Sequence, residues 1–173
     1  ALPILGIEYH IINIKDIVES EIRLIESSTN IKITEETRIN IPARIRMTTL
    51  YAVAQSIKGG RVVGTDNASE RYIGYFTKFG DGGHDFNPIG DLVVREVKAI
   101  GYGLGLPKYL IEKVPEDGLS GQTDEDKTGI SYSVLDEYIR TGICEDLEMK
   151  SKIDKMHKYS QHKIDTIPYF KLV

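Results

Sequence analysis

The sequence predicts an α/β fold, a parallel sheet flanked by helices, and three observations carry that expectation. Residues 7–14 (IEYHIINI) are rich in β-branched and aromatic types with some alternation, and 61–65 (RVVGT) are short and apolar, the patterns of a largely buried strand and of a buried strand end. The second of these follows a Gly-Gly pair that stops a helical pattern. It then runs straight into Asp66-Asn67, residue types suited to a helix N-cap. Helix, turn, strand and helix in that order describe a parallel sheet covered by helices, a fold whose ligands gather at the carboxyl ends of strands. Residues 65–70 are therefore the first place to look for a site.

Taken in order, residues 7–14 read as a largely buried strand, and residues 16–26 as a short amphipathic helix with Ile17, Val18, Ile22 and Ile25 at helical spacing. Residues 27–38 have no strong period. Asn40 followed by Pro42 predicts a helix start, because Asn caps free amides and Pro is tolerated in a first turn. The helix that follows sets Met47, Leu50, Tyr51, Ala54 and Ile57 on one face and stops at Gly59-Gly60. After the strand end at 61–65 come a helix capped near Asp66-Asn67, a Gly-rich loop over 79–90, a helix over 92–103 and a shorter one over 107–113. Residues 115–126 (PEDGLSGQTDED) hold five carboxylates, two glycines and no base, and read as a loop facing solvent or ligand. A helix over 131–141 and a basic C-terminal helix complete the chain. From Lys150 onward six Lys face only Asp154 and Asp165. There is no internal repeat and no linker-like stretch, so residues 1–173 read as a single domain.

Composition removes several function classes. The 173 residues carry 22 Lys and Arg against 26 Asp and Glu, a formal net charge of −4, which disfavours a binder of nucleic acid or of anionic lipid. No apolar run approaches the roughly 20 residues of a membrane-spanning helix. The single cysteine, Cys144, forms no internal disulfide and suits a reducing compartment. The chain opens Ala1-Leu2-Pro3-Ile4, with neither an initiator Met nor a secretory leader, and we expect an N-terminal segment upstream.

Two segments carry chemistry. In residues 64–70 (GTDNASE) the hydroxyl of Thr65, the amides of a helix N-terminus and the carboxylate of Glu70 could hold a phosphate with its Mg²⁺. The same residues fit a simpler role, because Asn67 and Glu70 have the spacing of a capping box. In residues 77–85 (TKFGDGGHD) three glycines permit close approach of backbone to ligand. Lys78, Asp81 and Asp85 there place opposite charges within a few residues, or mark ordinary turns. The acidic loop lacks the spacing of an EF-hand, and the four His show no zinc-ligand spacing. Arg44 and Arg46 share one helical turn, which by itself describes a solvated face.

Read together and in order, residues 43–47 (ARIRM), 62–70 (VVGTDNASE), 74–92 (GYFTKFGDGGHDFNPIGDL), 118–126 (GLSGQTDED) and 160–163 (SQHK) resemble the NAD synthetase family, most of all its ammonia-dependent branch. The resemblance covers nearly the whole chain and is clearest from Asn40 to Tyr138. It implies an N-type ATP pyrophosphatase (Rossmann-like) fold and a cytoplasmic homodimer. The implied reaction is the ATP- and Mg²⁺-dependent amidation of deamido-NAD by ammonia, through an adenylated carboxylate, to NAD, AMP and pyrophosphate.

Matched residue by residue, the resemblance makes Thr65 an ATP contact and Glu70 a Mg²⁺ ligand. It makes Arg44, Lys78, Asp85, His162 and Lys163 contacts of deamido-NAD. Three departures stand out. The family's Ser-Gly-Gly-x-Asp-Ser phosphate loop does not occur in these residues, Val94 stands where an ATP-contacting Lys is frequent, and Glu116 replaces a small hydroxyl residue. They keep two alternatives open: a catalytically silent nucleotide-binding relative, and a pyrophosphatase-type ligase acting on another acid.

Overall fold

The computed structural model describes residues 6–115 and 122–172. Eight helices run through them: α1 (Lys15–Thr29), α2 (Glu35–Gln55), α3 (Ala68–Ile73), α4 (Val94–Gly103), α5 (Lys108–Ile111), α6 (Asp124–Thr128), α7 (Tyr132–Thr141) and α8 (Leu147–Ile164). The core lies where α3, α7 and α8 meet. Ile73, Ile130, Tyr132, Leu135 and Ile153 are buried there, with Tyr72, Val134, Tyr138 and Met156 packed around them. Tyr72 stacks on His157 at 4.0 Å, and its carbonyl meets His157 Nδ1 at 2.8 Å, so α3 is pinned to α8.

The sheet is the main departure from expectation. Among the described residues the pairing is a single parallel bridge, Val63 with Phe86, flanked by hydrogen bonds from Gly64 N to Phe86 O (2.7 Å) and from Asp85 N to Val62 O (2.8 Å). Residues 7–14 form no strand. A strand needs a ladder partner on at least one edge and none of the described residues supplies it; residues 7–13 are open to solvent, with Ile11 87% exposed.

The second departure is the start of α2. The helix begins at Glu35, where Thr34 Oγ1 accepts from Thr37 N at 3.2 Å and two glutamates occupy the first turn, against the positive end of the helix dipole. Asn40 and Pro42 therefore lie inside the helix. Pro42 costs it the one bond that its missing N–H would have made to Arg38. The face from Met47 to Ile57 is only partly covered: Leu50 and Ile57 are 49% and 59% exposed.

Elsewhere the expected elements stand within a few residues. The end of the acidic segment is a correction, since Asp124–Thr128 forms α6 with Thr123 as its cap; residues 116–121, including Glu116, lie outside the described residues. No helix among those described is long and apolar enough to cross a membrane.

Candidate functional site

The short α3 positions the first group. Asn67 Oδ1 accepts from Glu70 N (3.0 Å) and Glu70 Oε2 accepts from Asn67 N (2.9 Å), so the capping box read from the sequence is present. That bond occupies one oxygen of a carboxylate that can accept at both. Burial pushes the Glu70 carboxyl up to about 7, and the charges of Asp66, Asp124 and Asp81 add to the effect. Burial likewise pushes Asp66 up to about 6, helped by Asp81 and opposed by His84 and Arg71.

Asp66 and Asp124 are each 6% exposed. Asp66 Oδ2 and Asp124 Oδ1 are fully enclosed without a hydrogen-bond partner among the described residues. The other oxygen of Asp124 accepts from Tyr132 OH at 3.2 Å. Buried carboxylate oxygens without donors are rare and costly. Among the described residues no group of three or more Asp, Glu, His or Cys side chains is placed to hold a metal ion. Mg²⁺ takes one or two carboxylates and keeps much of its water, and Glu70 has one carboxylate oxygen outside the capping box.

The second group is basic and centres on the 77–85 loop. Thr77 Oγ1 donates to Asn40 Oδ1 on α2 (2.7 Å), and Asp81 Oδ1 accepts from Thr77 N (3.0 Å), which closes the loop on itself. Arg44 Nε reaches Lys78 O at 3.4 Å, and Lys78 Nζ donates to His162 O. Lys163 Nζ donates to the carbonyls of Gly74 and Phe76, each at 2.7 Å, with the Phe76 ring 5.3 Å away. Burial holds its ammonium below the ordinary lysine value. Arg44, Lys78, His162 and Lys163 are thus brought together by main-chain contacts.

Beside this group lies a cleft of about 580 Å³, lined in part by Asn40, Ala43, Arg46, Thr77, Asp81 and Lys163. The charge of Asp81 raises the carboxyls of Asp66 and Glu70 and favours the ammonium of Lys163. Asp85 serves the parallel pairing: its Oδ2 accepts from Val62 N at 2.7 Å, and Tyr51 OH lies 3.4 Å from Oδ1. Thr65 is exposed directly after that pairing, between Gly64 and the buried Asp66.

Sequence reasoning passed over Asp66, Asp124 and Asn40 as site residues. Asp66 had read as a cap and Asp124 as part of a loop, and nothing local in the sequence signals that both are buried.

The sequence matches the NAD synthase family over residues 2–171. The chain belongs to that family. A curated member, the NH(3)-dependent NAD(+) synthetase of Pyrococcus furiosus, is 41% identical over 92% of this chain, which spans 65% of that relative's length. The NMN synthetase of Francisella tularensis superposes with a TM-score of 0.90 at 36% identity, over 99% of this chain and 70% of the other. The NH3-dependent NAD synthetase of Campylobacter jejuni superposes with a TM-score of 0.72 at 29% identity, over 98% of this chain and 68% of the other. The fold is therefore that of the NAD synthase family.

Proposed function

We propose that the protein to which this chain belongs is an ATP- and Mg²⁺-dependent synthetase that amidates deamido-NAD with ammonia, releasing AMP and pyrophosphate, on an N-type ATP pyrophosphatase fold. The observation that carries the reading is the basic cluster of Arg44, Lys78 and Lys163 gathered on the chain that leaves α3, the helix whose first turn carries the half-buried Glu70 carboxylate. A dinucleotide acid and ATP are both polyanions, and their reaction needs cationic side chains at one end and a cation-binding pocket at the other.

A carboxylate is a poor electrophile, and joining it to AMP supplies a leaving group. Mg²⁺, when bound, offsets the charge on the phosphate oxygens. In this reading Glu70 is its ligand, and Thr65, exposed at the end of the parallel pairing, donates to ATP. Lys78 and Arg44 neutralise dinucleotide phosphates, with His162 and Lys163 at the same end. Asp85 stands across the loop and accepts hydrogen bonds from the pyridine-ribose end. Enclosure of the cleft favours ammonia over water as the nucleophile.

We read the working form as a cytoplasmic homodimer. The apolar groove of about 680 Å³ bounded by Ile12, Leu50, Val53 and Ile57, with the exposed Ile11 beside it, supports a second copy covering this face.

One observation favours a second acid substrate: the superposition on an enzyme called NMN synthetase is closer than that on the Campylobacter NAD synthetase. The amidation chemistry is the same for nicotinate mononucleotide. Full-length protein incubated with ATP, Mg²⁺ and ammonium, and with either acid in turn, separates the readings. NAD and pyrophosphate from deamido-NAD support the proposal, and faster turnover of the mononucleotide moves the substrate assignment. Release of neither product leaves a nucleotide-binding relative without catalysis.

A further inference from the structure

We infer that Asn40 on α2 is a positioning residue for the acid substrate: through the hydroxyl of Thr77 it anchors the turn that aims Lys78. The inference rests on the reading of Lys78 as a contact of the dinucleotide acid, and it adds a residue that the resemblance does not assign.

The turn needs an anchor. Phe79, directly after Lys78, has φ +59°, a left-handed conformation that a residue with a side chain keeps only where its surroundings impose it. Phe79 is itself 54% exposed, so the constraint comes from its neighbours. Thr77, on the other side of Lys78, is buried and has every polar atom engaged. Its N donates to Asp81 Oδ1 (3.0 Å), its O accepts from Gly80 N (2.9 Å) and Gly82 N (3.3 Å), and its Oγ1 donates to Asn40 Oδ1 (2.7 Å). The first three bonds lie inside the loop and would travel with it. Only the fourth ties Thr77 to a helix.

Asn40 is held for that task at its other end. Its Nδ2 donates to Glu36 O, one turn back along α2 (2.8 Å), which leaves the amide oxygen toward the loop as an acceptor. Beyond Thr77 the loop lies along α2 turn by turn. A Cβ built on Gly80 would sit 2.9 Å from Ala43 Cβ, and one built on Gly83 would sit 3.0 Å from Met47 Cγ. Two of the loop's three glycines thus admit α2 rather than a ligand. Arg44 Nε to Lys78 O and Tyr51 OH to Asp85 Oδ1, each 3.4 Å, are the longer polar contacts of the same seam. Without Asn40 Oδ1 the Thr77 hydroxyl is buried with no acceptor, the turn at Phe79 relaxes, and the Lys78 ammonium loses its fixed base. Thr65 and Glu70, at the ATP end, stand on other elements and keep their geometry.

The test is steady-state turnover by the full-length protein, with KM measured separately for the acid and for ATP. Asn40→Ala is expected to raise the KM of the acid about tenfold, the weight of one hydrogen bond whose donor stays buried, with kcat and the KM of ATP unchanged. Thr77→Val, which removes the bond from the other side, should raise it equally. The double variant should lose no more than either single one, and Thr77→Ser, which keeps the hydroxyl, should match the wild type.

Lys78→Met separates this inference from the reading beneath it. Should Lys78→Met raise the KM of the acid while Asn40→Ala leaves it as in the wild type, the inference fails and the Lys78 reading stands. An unchanged KM in Lys78→Met, or a wild type that turns over neither acid, overturns both. Losses at Asn40 and Thr77 that add in the double variant would show two groups acting separately, and a rise of both KM values together would show an effect on the whole fold; either overturns the inference. Where Asn40→Ala does not fold, Thr77→Val against Thr77→Ser carries the same comparison. If Thr77→Val does not fold either, the bond is structural and the inference is wrong.

Discussion

Lys163 on α8 donates to the carbonyl of Gly74, the residue that ends α3, at 2.7 Å, and from the same ammonium to Phe76 O. Lys78 returns the contact by donating to His162 O. Two lysines thus join α8 and the loop that follows α3 in opposite directions. Replacing Lys163 by Met should cost about 2 kcal/mol in urea denaturation, because two carbonyls lose a charged donor. Amide exchange over residues 74–78 should quicken in parallel. Unchanged exchange there would show that the lysine does not hold the loop.

Gly74 has a second reason to be glycine. Its φ is +69°, and a Cβ built on it would lie 2.0 Å from Ser160 Cβ on α8. Gly59 has φ +75° and open space around it. Gly59→Ala should therefore cost about 1 kcal/mol, for the left-handed conformation alone. Gly74→Ala should cost about 3 kcal/mol or more, since α8 has to move away as well. Thermal unfolding of the two variants side by side measures the difference, and equal losses would show that α3 and α8 are not in tight contact.

These contacts mark where the sequence could be read and where it could not. The Asn67–Glu70 box and the α7 and α8 helices rest on signals within a few residues, and they stand as expected. Residues 7–14 have strand-like side chains, but a strand exists only when another edge pairs with it, and no local pattern reports that edge. Asn40-Pro42 resembles a helix start as well as Thr34-Glu35 does, and the two glutamates after Thr34 decide the competition. Lys78, Arg44 and Lys163 were legible as cations, whereas their partners are carbonyls 34 to 89 residues away. Asp66 and Asp124 are 58 positions apart in the numbering, and only the folded chain shows them buried beside the same glutamate.

Acid should loosen the α4–α7 contact first. Arg140 meets Glu96 at 2.8 Å through Nε and 2.5 Å through NH2, and with the amide of Val93 it holds the Glu96 carboxyl at about 2, well below its ordinary 4.5. A carboxyl depressed in the folded state stabilises the fold at pH values above its unfolded value. That contribution fades as pH falls from about 4.5 toward 2. Glu96→Gln should remove this part of the acid sensitivity, so that wild-type and variant unfolding curves converge as the pH approaches 2. Curves that stay parallel across the window would show that the pair does not couple to folding.

Asp136, 2% exposed, joins three helices. From α7 its carboxylate accepts from Ser69 Oγ on α3 at 2.6 Å and from Arg95 N at the start of α4 at 2.8 Å, while Ser69 Oγ in turn accepts from Val94 N at 3.3 Å. The charge faces the N-terminal amides of α4, where an anion is favoured. Asp136→Ala leaves a hydroxyl and a helix amide without their acceptor in the core and should cost about 3 kcal/mol. Asp136→Asn keeps one acceptor but turns an amide group toward a donor, so it should lose less than the Ala variant and more than an exposed substitution. Ser69 adjoins Glu70, so a shift of α3 should also lower the affinity for Mn²⁺. A variant that loses stability while binding Mn²⁺ as the wild type does would confine Asp136 to a packing role, and one that loses both in proportion would make it the anchor that aims Glu70.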